Sequence, residues 1–321
     1  MSTPPLPTTQ ILKSLETVRQ EDLQGALQEL EAERLRVWAH LRRVAPIFWI
    51  TGIASIFVFG AQDNILQIIP FLIWAGYYWH KHLVGRQFVE GFKDRVLRRF
   101  ITTVIPGMTY DPKGKIDRAH FQQSGILGTR ITRYNGEDLM VGQVGATMLA
   151  CCELDVTGTA THSEGESVTF NGLFFVIDFP KGFSSRTYVL SGEVDSKRWQ
   201  REGYRRGQEP HRVMLEDPEF NAMFWVYSLD PVEARYLLST SFMERLITFR
   251  RDRGLWPTLT FIDNHFYVGM GVSSNFMEPK LHKTVLDSRI NTEFLDDFRL
   301  VVGLVEDLNL NLRIWGEKAV V

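Results

Sequence analysis

Cysteine is nearly missing from this chain: of 321 residues only Cys151 and Cys152 carry a thiol. The two are adjacent, and neighbouring residues on a strand point to opposite faces, so they are badly placed to bond to each other. A disulfide framework is excluded, and the usage fits a reducing compartment. The pair also lacks the further Cys or closely spaced His that a zinc site needs. A surplus of one charge is missing too. Lys and Arg number 36 against 38 Asp and Glu, which argues against nucleic acid as a partner. The mean hydropathy of -0.12 is too polar for a many-span transporter.

Catalytic text is equally scarce. There is no G-x-S-x-G elbow and no S-x-x-K in a convincing setting. The phosphate loop G-x-x-x-x-G-K-[ST] and a G-x-G-x-x-G turn are absent as well. Eight His are present, but His120, His211, His265 and His282 have no partner at a recognisable spacing. His80 and His82 flank Lys81 and would point apart on a helix. His162, Glu164 and Glu166 alternate in a Gly/Ser/Thr-rich stretch that reads as a hairpin turn. No cofactor or metal is expected, and an enzymatic role is disfavoured without being excluded, since distant residues can converge.

What the sequence does have is two uncharged runs, 44–62 and 64–79, separated by Asp63. A bilayer core takes about 20 apolar helical residues, with a range of about 17–25, so both are short, and Pro46 and Pro70 would bend them. Arg34, Arg36, Arg42 and Arg43 precede the first run. Lys81, Arg86, Lys93, Arg95, Arg98 and Arg99 follow the second, while the turn holds only Asp63. The positive-inside rule then places both flanks, and both termini, in the cytoplasm. Trp49, Trp74, Tyr77, Tyr78 and Trp79, with Lys81, are the candidate membrane-interface residues. The uncharged Pro/Thr-rich start, residues 1–10, does not resemble a cleavable signal.

The expected organisation is α+β. Residues 1–43 carry an amphipathic helix, 44–80 a transmembrane hairpin, 81–106 a basic amphipathic stalk helix, and 107–321 a cytosolic domain with a mainly antiparallel sheet and C-terminal helices. Strands are read over 123–132, 138–159, 167–179 and 186–194, with Asn135-Gly136 and Asn171-Gly172 as turns or bulges. Asp230-Pro231-Val232-Glu233 has the grammar of a helix start, and Ser241 to Glu244 repeats it. A hairpin over 258–272 turns at Asp263-Asn264, and a last helix over 292–315 carries Phe298, Val301, Val305 and Leu308 along one stripe. Residues 216–219 read as a charged turn. Arg205 and Arg206, within an Arg-rich stretch at 198–212, are candidates for an anionic partner. Glu233 and Arg235, beside a capped helix start, are candidates for a polar pair in a binding cleft.

The segments 134–142 (YNGEDLMVG), 170–181 (FNGLFFVIDFPK), 213–246 and 261–269 (FIDNHFYVG) resemble a bacterial family of two-span membrane proteins of unknown function, sometimes labelled galanin-like. The resemblance implies two membrane helices, a cytosolic domain, and a LemA-like membrane protein as partner. It supplies no catalytic residue. Together these readings predict an inner-membrane protein whose cytosolic domain binds or scaffolds, with self-association as a further option. The alternative is an enzyme acting on a lipid or envelope precursor.

Overall fold

The computed structural model describes residues 21–59, 68–104, 107–144, 147–159, 167–179, 182–191, 210–272, 277–279, 281–286 and 296–308. The chain divides into two compact units, with 19–100 and 278–291 in one, 101–277 and 292–321 in the other.

The helical unit is built on α1 (Glu21–Phe59) and α2 (Ile69–Phe92), followed by a π-turn (Lys93–Leu97) and α3 (Arg98–Val104), within which the division between the units falls. Helix α1 continues without a break through Arg43 and Val44, where the charged part of the sequence gives way to the uncharged part, and it carries Pro46 inside. Pro70 does not bend α2. It lies in the first turn of α2, where its missing N–H leaves no intrahelical bond unmade. The helices run antiparallel: Phe48 meets Tyr77 at 5.3 Å between ring centroids and Trp49 meets Trp74 at 5.6 Å. Gly52 makes the closeness possible, since a side chain there would collide with the Trp74 indole. Among the described residues one stretch, Leu27–Val58, is long and apolar enough to cross a membrane, by length and composition.

At the charged end of the pair, a short return of the chain is fastened by ions. Lys93, buried, faces Glu278 at 3.7 Å. Arg34 bonds Glu31 and donates to the carbonyl of Leu281 at 2.7 Å. Glu31 also accepts from the backbone N–H of Val285 at 3.0 Å. The Arg34 hydrogen bond holds the Glu31 carboxyl below its usual range, against the opposing effect of burial.

The second unit is an antiparallel sheet of nine strands: β1 (Thr109–Asp111), β2 (Arg130–Val144), β3 (Thr147–Thr159), β4 (Ser167–Asp178), β5 (Thr187–Ser191), β6 (His211–Val213), β7 (Phe224–Ser228), β8 (Pro257–Ile262) and β9 (His265–Gly271). Their order across the sheet is β1-β2-β3-β4-β9-β8-β5-β7-β6. Its helices are α4 (Arg118–Ser124), α5 (Pro218–Met223), α6 (Pro231–Leu237), α7 (Thr240–Arg253) and α8 (296–308). Alternation along the strands feeds two buried faces. Phe174, Val176, Cys152, Tyr267 and Tyr188 pack with Phe121 of α4. On the other face Phe175 meets Phe298 of α8, and Phe242 of α7 meets Phe261 and Phe266. Cys151 and Cys152 are both buried and free, and burial pushes their thiols up, that of Cys152 to about 12.

Several expectations shift. Residues 118–124 form a helix where a strand from 123 was expected. Asp117 caps it by accepting from the N–H of Ala119 at 2.6 Å, and Gly125, at φ +69°, stops it. Asn135-Gly136, read as a turn or bulge, lies inside β2 next to a register shift between Glu137 and Met140. Gly172, at φ +154°, passes so close to the Met270 carbonyl that a side chain would collide with it. The stretch 216–219 starts helix α5, with Asp217 as cap and Pro218 in its first turn. Helix α7 is capped by Ser239, two residues earlier than the Ser241 expected. Phe298, Val301, Val305 and Leu308 are fully buried on α8; the rest of the expected helix lies outside the described residues.

Candidate functional site

Of the six candidate interface residues read from the sequence, Trp49 lies on α1 and the other five on α2. Because α1 and α2 are antiparallel, Trp49 near the start of the first uncharged run sits beside Trp74. Phe71 and Trp74, then Tyr77 and Tyr78, continue the cluster at 6.5 and 5.8 Å. Tyr78, Trp79 and Lys81 are exposed, as are Arg42 and Arg43. Between Trp79 and Lys81, His80 meets His40 of α1, their Nε2 atoms 3.2 Å apart. Away from that belt the surface is apolar: Ile50, Val58 and Leu72 are exposed, and Phe57 is 83% exposed.

Glu233 and Arg235 do not form a pair. Asp230 caps α6 by accepting from the N–H groups of Val232 and Glu233, and the two side chains leave the helix in different directions. Glu233, 8% exposed, turns inward. Its two oxygens accept the backbone N–H groups of Ser184 at 2.6 Å and Ser185 at 2.8 Å. Those groups belong to the loop before β5, so the carboxylate closes a loop. Arg235 donates to the carbonyls of Pro231 and Met214 and faces Glu216 at 3.5 Å. Arg205 and Arg206 lie outside the described residues, as do His162, Glu164 and Glu166.

Two hollows mark the sheet unit. One, of about 550 Å³, runs between α7 and α8 and is lined by Ser241, Glu244, Arg245, Thr248, Asp252 and Arg299. Its cations are matched at close range. Arg245 donates to Asp307 at 2.7 Å, Arg253 to buried Asp297 at 3.1 Å and Arg299 to Asp296 at 2.7 Å, which leaves little positive field for an anion. The other, of about 410 Å³, lies where the register places Asn135, Asp155 and Asn171 in a row across β2, β3 and β4. Arg133 Nη2 donates to both Asp155 oxygens at 3.0 and 2.9 Å.

A further group of titratable side chains is one the sequence does not signal. The ladder sets Asp178 of β4 opposite His265 of β9, and the His265 Nε2 lies 2.9 Å from Asp178 Oδ1. Two residues on, and so on the same face, Tyr267 stacks with His265 at 5.5 Å. Helix α4 brings His120 to 5.3 Å from His265 and 6.4 Å from Tyr267, centroid to centroid. Gln123 of the same helix donates to Asp263 at 3.2 Å. Burial pushes the Tyr267 hydroxyl well above the usual phenol range, and Asp178 and Asp263 add to the effect. His120 Nδ1, His265 Nδ1 and the Tyr267 hydroxyl are buried without a hydrogen-bond partner. Only His265-x-Tyr267 is visible as a two-residue period. His120 and Asp178 arrive through α4 and the β4–β9 pairing, which no local pattern announces. Among the described residues no three or more of His, Cys, Asp and Glu converge as a metal-holding group.

The architecture defines an α+β protein with a mixed helical and sheet core. The family described as "Protein of unknown function (DUF3137)" matches residues 168–310, from β4 through α8. The chain is also similar to the crystal structure of the mycobacterial trehalose monomycolate transport factor A, TtfA, at 14% identity and a TM-score of 0.30, over 60% of this chain and 88% of that one. No curated protein matches.

Proposed function

We propose that this is a membrane protein of two spans that holds its sheet unit at the cytoplasmic face, where the unit binds or scaffolds a membrane partner. The observation that carries the reading is the open apolar surface of α1 and α2, with Phe57, Phe71 and Leu72 among its most exposed side chains. Soluble monomers rarely expose contiguous apolar patches beyond a few hundred Å², whereas a bilayer solvates such a surface. As helices, residues 44–62 and 64–79 would reach about 28 and 24 Å, against a hydrocarbon core of about 30 Å. Both spans are therefore short, and local thinning of the bilayer accommodates them. The belt of Trp49, Trp74, Tyr77, Tyr78 and Trp79 sits at the end that carries Arg42, Arg43 and Lys81. Positive charge beside an aromatic belt favours that end as the cytoplasmic one.

The partner implied by the resemblance is a LemA-like membrane protein, with a second copy of this chain as the other candidate. A reporter fused after Val321 should be active in the cytoplasm; activity confined to the outside would overturn the topology. Purification in mild detergent should recover the chain in a complex, with mass separating a second copy from a different protein. A solitary monomer in every detergent tried would sink the scaffolding role.

A further inference from the structure

Four cations of the helical unit are matched: Arg34 by Glu31, Arg86 by Glu90, Arg95 by Glu33 and Arg98 by Asp94. Arg42, Arg43 and Lys81 differ. Each is exposed, and among the described residues none has a carboxylate at ion-pair distance. The reason lies in the composition of the two helices: after Glu33 α1 carries no acidic residue, and α2 carries none before Glu90. We propose that Arg42, Arg43 and Lys81 form a collar that binds the headgroups of anionic phospholipids, enriching them in the lipid shell at this end of the pair. This assignment rests on the membrane reading above and adds a lipid class to it.

The His40–His80 contact, 3.2 Å between Nε2 atoms, fixes which residues of the antiparallel helices lie at one height. At about 1.5 Å per residue, Arg42 and Arg43 lie roughly 3 and 4.5 Å from His40 toward the apolar surface. Lys81 lies about 1.5 Å from His80 the other way. The three charges therefore share about 6 Å of axis, a spread that long, flexible side chains cover. Successive helical residues are about 100° apart, so the three surround the pair instead of converging on one pocket. That arrangement suits several headgroups, not one soluble anion. Exposed Tyr78 and Trp79 border the collar, and the exposed Ile50, Phe57 and Leu72 offer the surface that acyl chains would cover. Charge then selects among lipids. A zwitterionic headgroup has no net charge to give, whereas an anionic one neutralises a cation that the chain leaves unmatched. Each Lys or Arg near such a surface is worth about a fivefold preference, and guanidinium adds paired hydrogen bonds to phosphate oxygens.

The test reconstitutes the full chain in vesicles of equal parts phosphatidylcholine and phosphatidylglycerol, with bromine on the acyl chains of one lipid or the other. Quenching of tryptophan fluorescence then reports which lipid lies against Trp49, Trp74 and Trp79. For the parent, the local ratio of anionic to neutral lipid should be about 5:1 or higher. The triple variant Arg42→Gln, Arg43→Gln, Lys81→Gln should return it to near 1:1. Arg36→Gln, with its charge about 9 Å further out than Arg42, should change it far less. In 1 M salt, where the screening length falls to about 3 Å, the parent should approach the triple variant. A parent ratio near 1:1, or one that the triple variant keeps, would overturn the collar and leave the spans standing, because both lipids still quench. A loss in Arg36→Gln as large as in the triple variant would also overturn it, since the charge would then act over the whole unit. Quenching by neither lipid would overturn the membrane reading and the collar with it.

Discussion

Phenylalanine has opposite fates in the two units. Phe57 and Phe71 of the helical pair are 83% and 67% exposed, whereas Phe174, Phe175, Phe261 and Phe266 of the sheet are sealed. In the sheet each ring finds other rings: Phe261 stacks on Phe266 at 4.6 Å and Phe174 on Tyr267 at 5.9 Å. Alternation delivers these side chains to two faces, and helices cover both. The helical pair uses its rings differently. Phe48, Trp49, Trp74 and Tyr77 join α1 to α2, and Ile50, Phe57, Val58, Phe71 and Leu72 of the same helices stay exposed. The sheet unit buries these rings, while the helical unit leaves several of its large apolar side chains exposed. What distinguishes the two is the company of the ring, not the ring itself.

The sharpest way to break this comparison is to remove one ring from each side. Phe261→Ala empties a site among Phe183, Phe242 and Phe266 and should destabilise the sheet unit by about 3–5 kcal/mol. Phe57→Ala should leave the unfolding of that unit within about 0.5 kcal/mol of the parent. Denaturant titration in detergent, followed by near-UV circular dichroism, compares them directly. Equal losses would mean that Phe57 belongs to the folded core after all.

The two uncharged runs and the strands of the meander were legible because each is a property of consecutive residues. A charge-free stretch needs no partner to be recognised, and β4 and the β8–β9 hairpin carry a period of two between turn residues. Caps are partly legible: Asp230-Pro231 announces α6, whereas Asp217-Pro218, with the same grammar, opens a helix of six residues, too short to show a period of its own. The polar centre was not legible. His120 reaches His265 through a helix that Asp117 starts, and Asp178 reaches it through the pairing of β4 with β9. Each contact spans a long stretch of sequence with no pattern of its own. The fastening of Glu278 to Lys93, and of Leu281 and Val285 to α1, has no local pattern either: Lys93–Glu278 is a charge pair between two ordinary surface-type residues.

Glu233 and Arg235 sharpen the comparison within the sheet unit, since the sequence presents them as equals and the fold separates them. Glu233→Gln keeps the shape but loses the charge that strengthens two backbone hydrogen bonds. It also brings an amide donor to face an N–H, and the expected cost is about 1–3 kcal/mol. Arg235→Ala, at an exposed ion pair, should stay within about 0.5 kcal/mol. If the order of these two losses reversed in the same denaturant series, Glu233 would be free for a ligand rather than committed to the loop before β5.

The smallest expected effect separates the units by pH. Both thiols lie in the sheet unit, and burial raises Cys152 to about 12, above the ordinary thiol value near 8.5. A raised folded-state pKa means that the unfolded chain releases its proton first. The stability that Cys152 contributes is therefore fully present below about pH 8.5 and declines as pH rises toward the folded value. The decline is about 1.4 kcal/mol per pH unit for this thiol. Between pH 9 and pH 10 the parent should lose that much more stability than Cys152→Ala, with the titration of other groups common to both and cancelling in the difference. The helical unit has no cysteine, so an interhelical reporter across Trp49 and Trp74 should show no difference between the two proteins over the same range. Equal pH slopes for parent and variant would place the Cys152 thiol within reach of water, and with it the face of β3 that packs against α4.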